Sequence, residues 1–427
     1  MKYYLLFLFF LATQISPAQI EFKSHFTNDA LRIDFLLAGD SQEEEIYLQH
    51  MKKEPVWAGP RNHLITPMQY GNYAVRVEDL KGELIYMRGF STLFEEWVTT
   101  EKARTTQKAF QQTIRVPFPR EKVQVKIQKR LYETGQFQDI LKRTVDPDDY
   151  FILEEEGPDV SYEKIHAAGK PENSVDLVFL GEGYRKQEMD KFEKDVQYMM
   201  DYFFSLEPVK KYKNRINVYR VNAVSEESGT DVPGEAIYSN TVFNSSYYTF
   251  DIPRYLTTFS TWKMRDYAAV VPYDHIILLI NTERYGGGGF YNHFTASTVG
   301  HLYSDKVAIH EFGHGFAGLG DEYYSSNVPY SEFYNLEVEP WEPNITTLVD
   351  FDSKWKEMIQ SEVPVPTPRK AKYSDTIGAF EGGGYVSKGI YSPYMDCRMK
   401  SNISPGFCPV CQRSIETMIL YYLGELQ

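Results

Sequence analysis

The chain has 427 residues and 42% hydrophobic content, enough for two domains with sizeable cores. Its formal net charge of −14 argues against nucleic acid or an anionic membrane surface as a partner. Beyond the N-terminus, no stretch approaches the ~20 apolar residues of a membrane span, so we expect a soluble product with no transmembrane segment.

The N-terminus has the pattern of a secretory signal peptide. Lys2 precedes an apolar run over residues 3–12, which is too short to span a membrane. Ser16 and Ala18 supply the small side chains that signal peptidases accept, which predicts cleavage before Gln19. We therefore expect residues 1–18 to be removed and the protein to be secreted, periplasmic or held at the cell surface.

Residues 19–145 are rich in short β-forming segments between polar turns, which predicts an all-β, sandwich-like domain. The predicted strands are Leu31–Phe35, Tyr73–Val77, Leu84–Gly89, Thr113–Val116 and Val123–Ile127. Proline, glycine and aspartate then become frequent, and we interpret residues 146–173 as a linker.

From residue 174 to the C-terminus the pattern is α/β and predicts a mixed twisted sheet backed by helices. Strands are predicted at Val175–Leu180, Ile216–Val221 and His275–Ile280, and a helix at Lys186–Phe204. Residues 291–299 suit an exposed edge strand, able to pair with an extended peptide. The preceding glycines 286–289 resemble a flexible loop and lack the spacing of a phosphate-binding loop.

His310-Glu311-Phe312-Gly313-His314 indicates a hydrolytic zinc site. On a helix, residues four apart lie on one face, so His310 and His314 can bind the same Zn²⁺. Glu311 lies beside the first ligand and is the expected general base, taking a proton from a zinc-bound water and returning it to the leaving amine.

A third ligand must come from outside this helix. Gly318 disfavours continuation of the helix, so the chain can turn and bring Asp321 back toward the metal. We prefer Asp321, with Glu322 as the alternative. A more distant glutamate on a second helix, Glu332 or Glu337, would instead indicate a thermolysin-like arrangement.

All three cysteines, Cys397, Cys408 and Cys411, lie near the C-terminus. In an oxidising compartment this favours a local disulfide, most simply Cys397 with Cys408 or Cys411, leaving one thiol unpaired. A redox pair and a second zinc site are less favoured, the latter because no fourth ligand is evident.

Several separated stretches of residues 174–427 resemble the IgA-peptidase family of metzincin-type zinc endopeptidases. These are Leu180–Tyr184, Ser225–Asp231, Asn281–Gly287, the zinc motif through Tyr323, and Tyr391 through Cys411. The β region before them resembles the accessory domain of that family.

The resemblance implies roles for individual residues. It identifies His310, His314 and Asp321 as zinc ligands and Glu311 as the catalytic base. It also implies a methionine turn beneath the metal, for which Met399 is the candidate and Met395 the alternative. In the commonest metzincin pattern the glycine and third ligand lie one residue closer to the second histidine than they do here, which keeps Glu322 open.

The sequence thus predicts a secreted zinc endopeptidase that acts on a peptide or protein substrate. One alternative is a non-catalytic protein- or glycan-binding protein with a vestigial metal site. Another is a zinc exopeptidase or amidase. Neither the substrate nor the oligomeric state follows from the sequence.

Overall fold

The computed structural model describes residues 20–324 and 333–426. The predicted signal peptide, residues 1–18, lies outside the described residues. Within the described ranges, no helix has both the length and the apolar character needed to cross a bilayer.

The first 130 or so described residues form a β domain with two short helices, α1 (Phe22–His25) and α2 (Leu93–Trp97). Its strands are β1 (Phe26–Gly39), β2 (Glu44–Glu54), β3 (Tyr73–Asp79), β4 (Leu84–Phe90), β5 (Lys108–Pro119), β6 (Val123–Arg130), β7 (Phe137–Val145) and β8 (Ile152–Leu153). The five predicted strands fall within β1, β3, β4, β5 and β6.

These strands make two four-stranded sheets, in the orders β5-β1-β2-β8 and β4-β3-β6-β7. All pairs are antiparallel except β2 with β8. Strand β6 shows why the chain pairs this way: Val123, Val125 and Ile127 are buried and alternate with the more exposed Gln124 and Lys126. One face of each such strand therefore meets the core while the other faces solvent.

The remainder is a mixed α/β domain with four helices, α3 (Met189–Phe203), α4 (Thr261–Ala268), α5 (Ser304–Ala317) and α6 (Pro409–Leu423). Its strands are β9 (Tyr162–His166), β10 (Val175–Glu182), β11 (Ile216–Val221), β12 (Ser245–Ser246), β13 (Thr257–Thr258), β14 (His275–Ile280), β15 (Gly287–Phe290), β16 (Phe294–Thr298), β17 (Phe380–Gly383) and β18 (Val386–Ser392).

A six-stranded sheet, in the order β15-β16-β14-β10-β11-β9, organises this domain. Its four inner strands are parallel and its two edge strands are antiparallel to their neighbours. Strands β10 and β14 are buried along their whole length, which explains the apolar runs within them, residues 177–180 and 276–280. Helices α3, α5 and α6 share one core on one face of the sheet, where the rings of Phe203 and Phe312 are 5.3 Å apart.

The opposite face of the sheet packs against the β domain. Val178 and Leu180 of β10 belong to a hydrophobic cluster that also contains Phe35 of β1 and Val75 of β3. Arg115 of β5 reinforces the contact by donating to the carbonyl of Tyr273 at 2.9 Å. The two domains therefore share a core, which fixes the β domain beside the site described below.

Two expectations change in the structure. The segment predicted as a linker, residues 146–173, contains β8 and β9, and β9 forms one edge of the six-stranded sheet. The prediction of an edge strand over residues 291–299 was wrong, because β16 (Phe294–Thr298) lies inside the sheet. The edge strand at this end of the sheet is β15, built from the glycine run itself.

Candidate metal centre

Helix α5 carries His310, Glu311 and His314, and ends where the sequence predicts. Gly318 adopts a left-handed conformation, with φ of +65°, and its N–H closes the helix by donating to the carbonyl of His314 at 3.0 Å. Most side chains are strained at this φ, so a glycine here lets the chain reverse direction. The reversal brings Asp321 back against the two histidines.

Three side-chain atoms converge at the centre. His310 Nε2 and His314 Nε2 are 3.0 Å apart, and Asp321 Oδ1 lies 3.1 Å from the first and 3.3 Å from the second. Ligands of a tetrahedral Zn²⁺ bound at ~2.0–2.1 Å are separated by about 3.3 Å. The triangle therefore has the dimensions of three ligands around one ion.

Hydrogen bonds from outside the triangle orient each of these side chains. His310 Nδ1 donates to the carbonyl of Arg398 at 2.9 Å, and His314 Nδ1 donates to the carbonyl of Leu319. Each imidazole thereby keeps its proton on Nδ1 and presents the Nε2 lone pair to the centre. Tyr385 donates to Asp321 Oδ2 at 2.6 Å, and this turns Oδ1 toward the histidines.

The electrostatics of this group favour a positive charge at its centre. Burial lowers the pKa of His314, but the carboxylate of Asp321 outweighs burial and raises it to about 9. Burial raises the pKa of Asp321, yet the two imidazoles hold it far below its ordinary value. Asp321 Oδ1 is buried and accepts no hydrogen bond from the residues that the structure describes. A buried carboxylate oxygen without a donor is costly, and a cation bound between these residues would satisfy it.

The edge strand β15 packs closely against α5 beside Glu311. A Cβ atom at Gly287 would stand 2.8 Å from Glu311 Cγ, and one at Gly289 would stand 2.2 Å from the Glu311 carbonyl oxygen. Only glycine therefore allows β15 to approach α5 so closely. Burial raises the pKa of Glu311, an effect that the neighbouring His310 and His314 partly offset.

The three ligand-type residues and Glu311 line a cavity of about 630 Å³. Strand β15 forms part of its wall, and Tyr334 and Arg254 form other parts. The β domain contributes Ser91, which precedes α2, and Glu95 in the first turn of α2. The cavity is therefore built by both domains.

The alternative ligands lie elsewhere. Glu322 follows Asp321 directly, but its carboxylate points to the opposite side, where Cys411 Sγ is 3.1 Å away. Glu337 is exposed and does not belong to the histidine group. Glu332 lies outside the described residues. Among the described residues, Asp321 is therefore the carboxylate that meets both histidines.

Met399 is fully buried beneath the middle of α5. A Cβ atom at Gly313, between the two histidines, would stand 2.8 Å from Met399 Sδ. Met395 is only half-buried. Met399, and not Met395, therefore packs against α5 between the two histidines.

The predicted disulfide is absent from the structure. Cys397, Cys408 and Cys411 are all free thiols, and Cys397 Sγ lies 3.7 Å from Cys411 Sγ. A disulfide would need a separation of about 2.05 Å. That prediction was wrong, because the three thiols cluster around a carboxylate rather than pairing with one another.

Sequence reasoning missed several polar side chains near the centre. Tyr385 follows three glycines in the loop between β17 and β18, and nothing in its local pattern distinguishes it from 32 other tyrosines. Arg254 lies far from α5 in the sequence and reaches the cavity only through the fold. The ring of Tyr323 lies nearly parallel to that of His310 at 6.5 Å.

Comparison with known families agrees with this architecture. The family model described as IgA Peptidase M64 matches residues 164–373 and 369–419, which include every residue of the centre. The model described as Peptidase M64 N-terminus matches residues 21–141, the β domain. A search of curated proteins found no match. The chain therefore belongs to the IgA peptidase M64 family, a family of metallopeptidases, and carries the N-terminal domain of that family ahead of its peptidase domain.

Proposed function

We propose that this protein is a secreted, zinc-dependent endopeptidase whose general base is Glu311. The observation that carries the proposal is the meeting of His310 Nε2, His314 Nε2 and Asp321 Oδ1 within 3.3 Å of one another, beside a buried glutamate in a cavity. Two imidazoles and one carboxylate with an open fourth position form the usual ligand set of a catalytic zinc site.

The donor set suits zinc better than the harder divalent cations. Mg²⁺ and Ca²⁺ take mainly oxygen ligands, whereas imidazole nitrogens suit Zn²⁺. Asp321 Oδ1, which accepts no hydrogen bond from the described part of the chain, supports a metal ligand over a purely structural carboxylate. His310, His314 and Asp321 are therefore the residues that would hold the ion.

When bound, Zn²⁺ would polarise the scissile carbonyl and lower the pKa of the attacking water. Glu311 accepts the proton that this water loses. Its pKa, raised by burial, makes the carboxylate a better base than an exposed glutamate. Glu311 then donates the proton to the amine nitrogen as the peptide bond breaks, and returns to its starting state.

Strand β15 supports a peptide as substrate. It is an edge strand of the six-stranded sheet, it lines the cavity, and it lies so close to α5 that a Cβ atom at Gly287 would stand 2.8 Å from Glu311 Cγ. Leu256 donates to the carbonyl of Gly287, so pairing with a substrate would involve the later part of the strand. An extended peptide added there would place its backbone beside the general base.

The decisive variant is Glu311→Gln, which removes the base without changing the ligand set. We expect it to bind zinc as the wild type does and to lose about 10²–10⁴-fold in kcat/KM. Glu193→Gln, on the exposed face of α3, is the matched control and should keep both properties. Zinc binding with undiminished hydrolysis in Glu311→Gln would overturn the proposed role.

An exopeptidase is the second candidate, because Arg254 lines the same cavity and a guanidinium suits the terminal carboxylate of a substrate. Peptides blocked at both ends separate the two. An endopeptidase cleaves them internally, whereas an exopeptidase leaves them intact. A zinc-loaded protein that digests neither blocked nor free peptides would instead support the non-catalytic binding function.

Export is also part of the proposal. It rests on the basic residue, short apolar run and small residues that precede Gln19. N-terminal sequencing of the protein recovered outside the cytoplasm should begin at Gln19. Recovery in the cytoplasm with residues 1–18 intact would refute secretion.

A further inference from the structure

A second group of ligand-type side chains lies beside the proposed catalytic centre. Glu322, Cys397, Cys408 and Cys411 are all buried, and their oxygen and sulfur atoms lie within 4.8 Å of one another. They come from three parts of the chain: the segment after α5, the loop after β18, and the start of α6. Folding therefore brings three thiols and a carboxylate together from three separate segments of the chain.

The separations within this group suit a tetrahedral metal ion. Cys397 Sγ and Cys411 Sγ are 3.7 Å apart. Two thiolates bound to Zn²⁺ at ~2.3 Å with tetrahedral angles are about 3.8 Å apart. Glu322 Oε1 lies 3.1 Å from Cys411 Sγ on the same side of the cluster.

The carboxylate of Glu322 supplies an independent sign that this cluster lacks a partner. Its side chain is fully buried, and Oε1 accepts from Asn344 Nδ2 at 3.0 Å. Oε2 is also buried and, within residues 20–324 and 333–426, no donor forms a hydrogen bond to it. An interior carboxylate oxygen is normally paired with a donor or bound to a metal.

Two of the cysteines lie at the start of a helix. Cys408 is the N-cap of α6 and Cys411 is its third residue, so both lie at the positive end of the helix dipole. The N–H of Cys408 also donates to Cys397 Sγ at 3.1 Å. Cys408 and Cys411 have the C-x₂-C spacing that recurs in zinc sites.

A redox role fits the same cysteines less well. Catalytic and sensor thiols are accessible to their partners, whereas Cys397 and Cys411 are 0% exposed and Cys408 is 5% exposed. A disulfide between any two of them would leave the third thiol and Glu322 Oε2 without a partner. Metal binding uses all four groups.

We propose that Glu322, Cys397, Cys408 and Cys411 form a second, structural Zn²⁺ site. Four protein ligands close the coordination sphere, which is typical of structural zinc, while the histidine site keeps one position open. Thiolate ligands favour zinc over magnesium or calcium. Binding would displace the protons of the three thiols into solvent.

This second site would brace the first through adjacent residues. Glu322 follows Asp321, and its N–H donates to the carbonyl of Met399 at 2.9 Å. Cys397 precedes Arg398, whose carbonyl accepts from His310 Nδ1. The zinc would thus tie together the segments that position Asp321, His310 and Met399.

The test measures zinc in the full-length protein and does not depend on hydrolysis. Wild type purified with zinc and without a thiol reductant should carry about two zinc ions per chain, and the double variant His310→Ala/His314→Ala about one. X-ray absorption at the zinc edge should show sulfur neighbours at about 2.3 Å in that variant. Its zinc should be released when a mercurial reagent titrates the thiols. The double variant leaves the cysteine cluster intact, so its result does not depend on whether cysteine variants fold.

Cys408→Ser/Cys411→Ser should lose the sulfur signal and retain at most the histidine-site zinc. The proposal is overturned if the histidine double variant binds no zinc, if its zinc has only nitrogen and oxygen neighbours, or if thiol counting after denaturation reveals a disulfide. Failure of the proposed hydrolysis would look different. In that case both zinc ions would be present, and Glu311→Gln would behave as the wild type in peptide digestion.

Discussion

Replacing Tyr385 with phenylalanine tests whether Asp321 is a metal ligand held in place by its neighbour. The hydroxyl of Tyr385 donates to Asp321 Oδ2 at 2.6 Å, on the side of the carboxylate opposite the histidines. The substitution removes one oxygen atom and leaves the ring in place. Any change in metal affinity then reports on the orientation of the carboxylate.

The structure sets the size of the expected effect. Hydrogen bonds to charged groups contribute about 1.5–3 kcal/mol, and each 1.4 kcal/mol changes a dissociation constant about tenfold. Loss of an outer hydrogen bond to a metal ligand typically weakens metal binding by about 10–100-fold. We therefore expect the Kd of Tyr385→Phe for zinc at the histidine site to rise by ~10- to 100-fold.

Competition with a chromophoric chelator measures this Kd directly, and circular dichroism checks the fold. Tyr334→Phe is the matched control, because Tyr334 lines the same cavity and donates to a different carboxylate, Glu342, at 2.9 Å. Its zinc affinity should stay within about twofold of the wild type. An unchanged Kd in Tyr385→Phe, or an equal loss in Tyr334→Phe, would refute the assignment of Asp321.

Two further predictions concern stability. Gly289→Ala should lower the free energy of unfolding by about 1–3 kcal/mol, because its Cβ would meet the Glu311 carbonyl at 2.2 Å. Gly406→Ala is the control: the nearest atom to its Cβ would be 3.8 Å away, so it should unfold in urea like the wild type. Equal urea midpoints for the two variants would contradict the packing argument. Burial, reinforced by the charges of Arg265 and Arg88, lowers the pKa of His275 from 6.5 to about 3. Between pH 6.5 and 3 the unfolded chain therefore binds a proton at His275 that the folded protein does not bind, so the free energy of unfolding falls as the pH drops below 6.5, by ~2 kcal/mol at about pH 5 from this group. The free energy of unfolding of His275→Gln, measured in urea, should depend less on pH. The same pH dependence as in the wild type would rule out His275 as its origin.

Much of the peptidase sheet could be predicted from local sequence. The predictions for Ile216–Val221 and His275–Ile280 coincide with β11 and β14. Buried parallel strands are apolar on both faces, so their sequences differ from those of helices and loops. The i, i+4 spacing on α5 likewise constrains His310 and His314 to one face, whatever surrounds them.

The glycine run shows where local pattern fails. Gly287–Gly289 have low intrinsic preference for a strand and resemble a loop. They form β15 because β16 supplies hydrogen-bond partners and α5 lies too close to admit a Cβ atom. Both constraints come from residues distant in the sequence.

The sequence by itself determined the family, the pair of histidines four residues apart on α5 and the presence of carboxylates just after the helix. Only the tertiary structure decided that Asp321 faces the histidines while Glu322 faces the cysteines. The direction of each carboxylate depends on how the chain turns after Gly318 and on partners 60 to 90 residues away, namely Tyr385 and Cys411. Local propensity carries no information about those partners, because side-chain direction in a loop is set by the contacts that the completed fold makes available.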